Sequence, residues 1–365
     1  MSLAARVKPH VASLEPYEPG KPIEELEREM GISGSVKLAS NENPLGPSPR
    51  AVRAIERIAG SVHRYPDGRS FRLRQALSER LDVDPGQLVF GCGSDEVLEL
   101  VAKAYVGPGD EVVHAWPSFA MYPIVTQGMG GSAVRVPLDA ELVHDLPAMA
   151  AAVGERTQVV IVCNPNNPTG TSVGAAAFDR FVEALPEDLV LVVDEAYVEY
   201  ARRPDFPDAL AWVERRPATL VMRTFSKLYG LAGLRVGYGI AGHELAGHLE
   251  RARHPFNLNL VAEEAALAAL DDHAFVDHAR RLNAAGAEQL SRGLGALGFE
   301  VWPTDTNFVL VRLGEGAYER LLRRGVIVRP MGGFGLPDCV RISIGTPEEN
   351  ERLLKAVHAL RESSA

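Results

Sequence analysis

Cysteine is scarce. Cys92, Cys163 and Cys339 are the three in 365 residues, and none sits in C-x-x-C spacing. The chain therefore offers neither a disulfide framework nor a cysteine-based metal site, and it suits a reducing compartment. Long apolar runs are missing too. The longest, such as 158–163 and 189–193, fall far short of the roughly 20 residues that a bilayer-spanning helix needs. The start carries Pro9 and Glu15 and no apolar stretch of signal-peptide length. Basic charge is in deficit: 38 Lys and Arg against 48 Asp and Glu give a net charge of −10. That argues against binding a nucleic-acid backbone, which needs basic surface. It leaves room for one small anion held by local arginines. No Walker A spacing, low-complexity tract or internal repeat is present. The expectation is a soluble cytoplasmic protein with no metal, membrane or nucleic-acid partner.

What the sequence has instead is a regular alternation of helical and apolar segments. Near the start, Pro16, Pro19 and Pro22 forbid a long regular element, and a short helix is expected over 22–30. Residues 38–49 read as a loop from their turn formers, Ser40, Asn41, Asn43, Pro44, Gly46, Pro47 and Pro49. Helices are expected at 50–59, 71–81 and 96–105, and strands at 87–90, 111–114, 157–163, 189–193 and 219–223. The last three strands are apolar throughout rather than alternating, which suits parallel strands covered on both faces. An α/β domain with a mainly parallel sheet follows. From about residue 261 the texture changes to a long Ala/Leu/Glu-rich helical region, then short strands and a terminal helix over 347–360. The expected division is an arm (1–35), a large domain (36–262) and a small α+β domain (263–365).

Four polar clusters follow strands, where open α/β sheets bind ligands. Gly91-Cys92-Gly93-Ser94-Asp95-Glu96 leads into a helix and offers backbone N–H groups to an anion. Asn164-Pro165-Asn166-Asn167-Pro168-Thr169-Gly170 is a stiff loop able to hold an amide in one orientation. Asp194-Glu195-Ala196-Tyr197 puts a carboxylate at the end of a buried strand, where it needs a cation or donors. Thr224-Phe225-Ser226-Lys227, followed by Gly230, Gly233, Arg235 and Gly237, sets a lysine among hydroxyls and glycines. Each has a bland explanation alone: a turn with Ser94 as helix cap, turn chemistry, Asp194 as helix cap, a solvated lysine. Together they make the set that pyridoxal 5′-phosphate requires. That set is an amine for a Schiff base, a carboxylate for the pyridine nitrogen, a phenol and an amide for the ring oxygen, and donors for the phosphate.

These motifs resemble fold-type I, aspartate-aminotransferase-like enzymes. Further stretches, P-Y-E-P-G-K-P-I-E-E-L (16–26), K-L-A-S-N-E-N-P-L-G-P-S-P (37–49), R-Y-P-D-G (64–68) and G-V-I-V-R-P-M (325–331), are similar to the histidinol-phosphate aminotransferase family of class-II transaminases. The resemblance implies a large domain with a seven-stranded, mainly parallel sheet and a ping-pong reaction through a Schiff base on Lys227. Asp194 would pair with the pyridinium, Tyr197 and Asn167 with the ring oxygen. Gly93, Ser94, Asp95, Thr224, Ser226 and Arg235 would surround the phosphate, and Phe119 would stack on the ring. Tyr65 would reach the phosphate of a neighbouring subunit, implying a homodimer. Arg329 and Arg341 would take the substrate phosphate, with Tyr17 closing over the site and Asn41 near the substrate without an assignable bond. Histidinol phosphate with 2-oxoglutarate is the expected pair. An aromatic amino-acid transaminase, using Arg341 for a carboxylate, and a threonine-phosphate-type decarboxylase are the alternatives. Cys92 departs from the Asn common at its position; the roles expected of that loop use backbone groups, so little depends on it.

Overall fold

The computed structural model describes residue 3, residues 6–17 and residues 19–362. A short strand, β1 (Val36–Lys37), leads into seven strands that form the main sheet: β2 (Leu88–Cys92), β3 (Glu111–Trp116), β4 (Ser132–Pro137), β5 (Thr157–Cys163), β6 (Val190–Asp194), β7 (Thr219–Thr224) and β8 (Val236–Ala241). Their order is β2-β8-β7-β6-β5-β3-β4. The expected seven-stranded sheet is present, and all of it is parallel except β8, which runs antiparallel to both neighbours.

Both faces of this sheet are covered, which is why its strands read as unbroken apolar runs. Successive residues alternate between two cores. Val160, Val162, Leu191, Val193 and Val221 point into one, while Val159, Ile161, Val190, Val192, Leu220 and Met222 point into the other. Each such side chain contributes roughly 1.5–3 kcal/mol on burial, so the sheet is a rigid base for whatever its edge carries.

The second half builds a smaller sheet. The strands β9 (Glu300–Val301), β10 (Phe308–Arg312), β12 (Arg329–Pro330) and β13 (Cys339–Ser343) lie in the order β12-β13-β10-β9. They pack on the helices His273–Ala296 and Pro347–Glu362 through Leu290, Leu294, Val309, Val311, Ile342, Leu353 and Val357. β11 (Val326–Ile327) pairs in parallel with β1 in a separate two-stranded sheet, so the amino-terminal segment is stitched to the carboxy-terminal half of the chain. Among the described residues, no helix is long and apolar enough to cross a membrane.

Several local expectations need correction. Ser94 is the first residue of the helix Ser94–Tyr105 rather than its cap, and Gly93 caps it at φ 78°. Asp194 ends a strand instead of capping a helix. The region 261–297 is two helices, Leu260–Leu270 and His273–Ala296, because the Asp272 side chain caps the Phe275 N–H and starts a new helix. β4 was not foreseen, since as an edge strand it is mostly exposed and lacks the apolar signal. β8 hid behind its glycines. Only 11 residues separate β7 from β8, about the lower limit for a parallel crossover, so the chain turns back antiparallel. That reversal brings Arg235, just before β8, to the edge where β2, β5, β6 and β7 end.

Gly237 on β8 is required by close approach: a Cβ there would lie 2.1 Å from the Ser94 nitrogen and 2.4 Å from the Gly93 carbonyl carbon. Gly237→Ala is expected to cost about 1–3 kcal/mol of unfolding free energy by pushing the start of that helix away. Urea unfolding of parent and variant checks this, and equal midpoints would refute it.

Candidate active site

One cleft of about 260 Å³ gathers the carboxyl ends of the main sheet and one edge of the small sheet. Its walls include Tyr17, Ser94, Asp95, Phe119, Asn167, Asp194, Tyr197, Thr224, Ser226, Lys227, Arg235, Arg329 and Arg341. Asn41 is there as well, so fourteen of the sixteen residues given a place in the site from the sequence meet in one place. Gly93 adjoins it, with space for a Cβ denied by the Arg235 guanidinium. Tyr65 does not: it is 82% exposed and stacks on Phe256 at 4.8 Å.

The floor of the cleft is Asp194, the last residue of β6, which is 4% exposed. Its carboxylate accepts from the Tyr122 hydroxyl at 2.7 Å and the Ala196 N–H at 3.1 Å. Both are neutral donors, so burial dominates and the acid is raised to about 6. A buried carboxylate held only by neutral donors is suited to a cationic ligand group. One strand over, the chain leaves β7 at Thr224 and reaches Lys227 three residues later. Burial and the positive charge of Arg341 lower the ammonium to about 8, with Asp95 and Glu42 opposing. A minority of the amine, far larger than for an ordinary lysine, is therefore neutral and nucleophilic near physiological pH. Its Nζ lies 5.7 Å from the centre of the Tyr197 ring.

At one end of the cleft the start of helix Ser94–Tyr105 points its free N–H groups inward beside Thr224, Ser226 and Arg235. Arg235 has φ 60° and reaches Asp95 at 3.2 Å and the Ser226 hydroxyl at 3.5 Å. Donors of this kind around a helix start fit a phosphate. At the other end stand Arg329 and Arg341, which face each other directly across β12 and β13. Like charges in register repel, and the partners of Arg341 do not neutralise it: they are the Asn167 Oδ1 and the Ala39 carbonyl. Its Nε is buried without a partner among the described residues, and burial lowers its proton affinity. The Arg329 guanidinium lies over the Tyr17 ring at 5.4 Å. The site thus has two anion-binding poles with an amine and a carboxylate between them. Phe119 lines the wall and meets Tyr122 edge-on at 5.6 Å.

The family profile of aminotransferase class I and II matches residues 33–357, and the chain belongs to that family. Its architecture is that of the fold-type I transaminases. Among curated relatives, histidinol-phosphate aminotransferase 2 of Pseudomonas aeruginosa is 50% identical over 358 residues, covering 97% of each chain. The protein of that name from Methylococcus capsulatus is 49% identical, covering 98% of each. Among solved structures, histidinol-phosphate aminotransferase from Sinorhizobium meliloti in complex with pyridoxal-5′-phosphate is similar at TM-score 0.91 and 32% identity, over 99% of both chains. Aspartate aminotransferase from Thermus thermophilus with maleate is similar at TM-score 0.82 and 25% identity, over 98% of this chain and 99% of that one.

One residue in contact with the site escaped sequence reasoning, and another was expected near the substrate but without its bond. Tyr122 lies 72 positions from Asp194 and looks like an ordinary helix aromatic. Asn41 had no assignable partner, and it donates to the Tyr197 hydroxyl at 2.8 Å. Tyr122→Phe leaves one Asp194 oxygen buried and unpaired. Because the folded-state pKa of Asp194 lies above its unfolded value, its ionisation opposes folding as pH rises through about 6. The variant is expected to lose about 1–3 kcal/mol near neutral pH and less near pH 5. Urea unfolding of the cofactor-free protein at both pH values checks this, and an equal loss at both would refute it.

Proposed function

We propose that this cleft binds pyridoxal 5′-phosphate and transfers an amino group between histidinol phosphate and 2-oxoglutarate, a step of histidine biosynthesis. The observation that carries the substrate is the cross-strand pair Arg329 and Arg341. Two guanidiniums held together, with no ion pair to either among the described residues, favour a dianion over a monoanion. The relatives named above supply the same reading.

The residues present fit the cofactor. Asp194 has no ion-pair partner among the described residues and would hold the protonated ring nitrogen. Tyr197 offers its hydroxyl to the ring oxygen. The Asn167 carbonyl oxygen is taken by Arg341, which leaves the amide hydrogens for the same ring oxygen. Phe119 would cover one ring face. Gly93, Ser94, Asp95, Thr224, Ser226 and Arg235 would bind or frame the phosphate. When bound, the cofactor supplies an aldehyde that condenses with amines and a ring that accepts an electron pair.

Lys227 would hold the cofactor aldehyde, and its amine, when free, would serve as the base. Its Nζ would carry the proton removed from the donor carbon of the substrate. Asp194 keeps the ring nitrogen protonated and so stabilises the negative charge that this proton transfer creates. Tyr17, lying over Arg329, would close the cleft and exclude water. Tyr65 is exposed beside Phe256 and is assigned to a second copy, whose cofactor phosphate it would reach; this makes the active form a homodimer. The setting proposed is the cytoplasm, and the units proposed are 1–35, 36–262 and 263–365.

A substrate panel tests the reading: histidinol phosphate, phenylalanine, tyrosine and threonine phosphate, each with 2-oxoglutarate. Histidinol phosphate should give the highest kcat/KM. Arg329→Ala should raise its KM at least about tenfold, one charged hydrogen bond's worth, with little change for phenylalanine. Faster turnover of phenylalanine by the parent, or equal losses for both substrates, would favour an aromatic transaminase. Carbon dioxide released from threonine phosphate without amino transfer would favour the decarboxylase.

A further inference from the structure

Asn41 sits in the loop between β1 and the helix Pro49–Ile58, and every polar group it has is committed. It is 2% exposed and has φ 55°, a left-handed conformation that asparagine tolerates better than most residues. Its backbone N–H donates to the Ser343 Oγ at 2.8 Å. Its carbonyl oxygen accepts from the Asn307 Nδ2 at 2.8 Å. The Ser343 hydroxyl in turn donates to the Asn41 Oδ1 at 3.1 Å. Since the Ser343 oxygen already accepts one hydrogen bond from Asn41, its own proton is the one left to give. That fixes which way the Asn41 amide points: Oδ1 towards Ser343 and Nδ2 towards Tyr197, to whose hydroxyl it donates at 2.8 Å.

This orientation has a chemical consequence at Tyr197. A phenol has one proton and two lone pairs. With Asn41 donating to one lone pair, the phenol proton finds no acceptor on that side and is left to the cleft. We propose that Asn41 is a positioning residue: it aims the Tyr197 hydroxyl proton at the cofactor ring oxygen and holds it there. The assignment rests on the cofactor reading above. Ser343, which orients Asn41, is two residues beyond Arg341 on β13. The strand that carries an anion-binding arginine therefore also sets the phenol's donor direction.

A hydrogen bond to the ring oxygen stabilises its anionic form. It thereby weakens that oxygen's hold on the proton at the Lys227 nitrogen, lowering the pH at which the visible band of the loaded protein titrates. The test follows that midpoint in Asn41→Gly, Tyr197→Phe and the double variant. Glycine accepts φ 55° without strain, so Asn41→Gly removes the amide and spares the backbone. Asn41→Gly should raise the midpoint by about 0.5–1 pH unit, the equivalent of one hydrogen bond. Tyr197→Phe should raise it further. The double variant should match Tyr197→Phe alone, because Asn41 acts only through that phenol. A parent-like midpoint in Asn41→Gly, or a double variant showing the sum of the two shifts, would overturn the proposal. A parent that takes up no visible chromophore on loading would overturn the cofactor reading instead.

Discussion

A carboxylate buried at the end of a strand is the constraint on which the rest turns. Asp194 sits in apolar surroundings with a hydroxyl and one N–H as its partners. Its ionisation is costly, and burial holds its pKa near 6. A fold that keeps such a group needs a cation to place against it. On the neighbouring strand, the same burial pushes the Lys227 ammonium down to about 8. One low-dielectric pocket therefore does opposite things to an acid and a base: it raises the pKa of the acid and lowers that of the base, bringing the two closer together.

The sheet arranges this with little backbone invention. Parallel strands deliver their carboxyl ends to one edge, so Asp194, Lys227, Asn167 and the Ser94 helix start converge without long loops. The antiparallel β8 adds Arg235 to that edge from the opposite direction. The small sheet contributes the other pole, where Arg329 and Arg341 lie in register. Arg341 also touches Asn167, and Ser343 on the same strand touches Asn41. Both groups assigned to the ring oxygen thus connect to the strand that carries one of the arginines proposed to hold the substrate.

Much of this was legible in the sequence, for a physical reason. Residues that act at strand ends lie next to each other in the chain, so N-P-N-N-P-T-G, D-E-A-Y and T-F-S-K stand out as polar interruptions after apolar runs. The fully covered strands announced themselves by composition. What was hidden depends on contacts between distant positions or on signals that glycine erases. The Tyr122–Asp194 bond and the Asn41–Tyr197 bond cross 72 and 156 positions, and nothing local marks either partner. In β8 the helix start presses on Gly237 and the Leu220 and Val97 side chains press on Gly239, and those glycines masked its strand character. The cross-strand register of Arg329 and Arg341 needed the fold itself.

The most direct test of the central claim is chemical. The protein is loaded with pyridoxal 5′-phosphate, reduced with borohydride, digested and sequenced by mass spectrometry. The account predicts a stable phosphopyridoxyl adduct on Lys227 and, in a Lys227→Ala variant, no adduct at a substitute lysine with restored transamination. A label on another lysine in the unmodified protein, with Lys227 untouched, would contradict it.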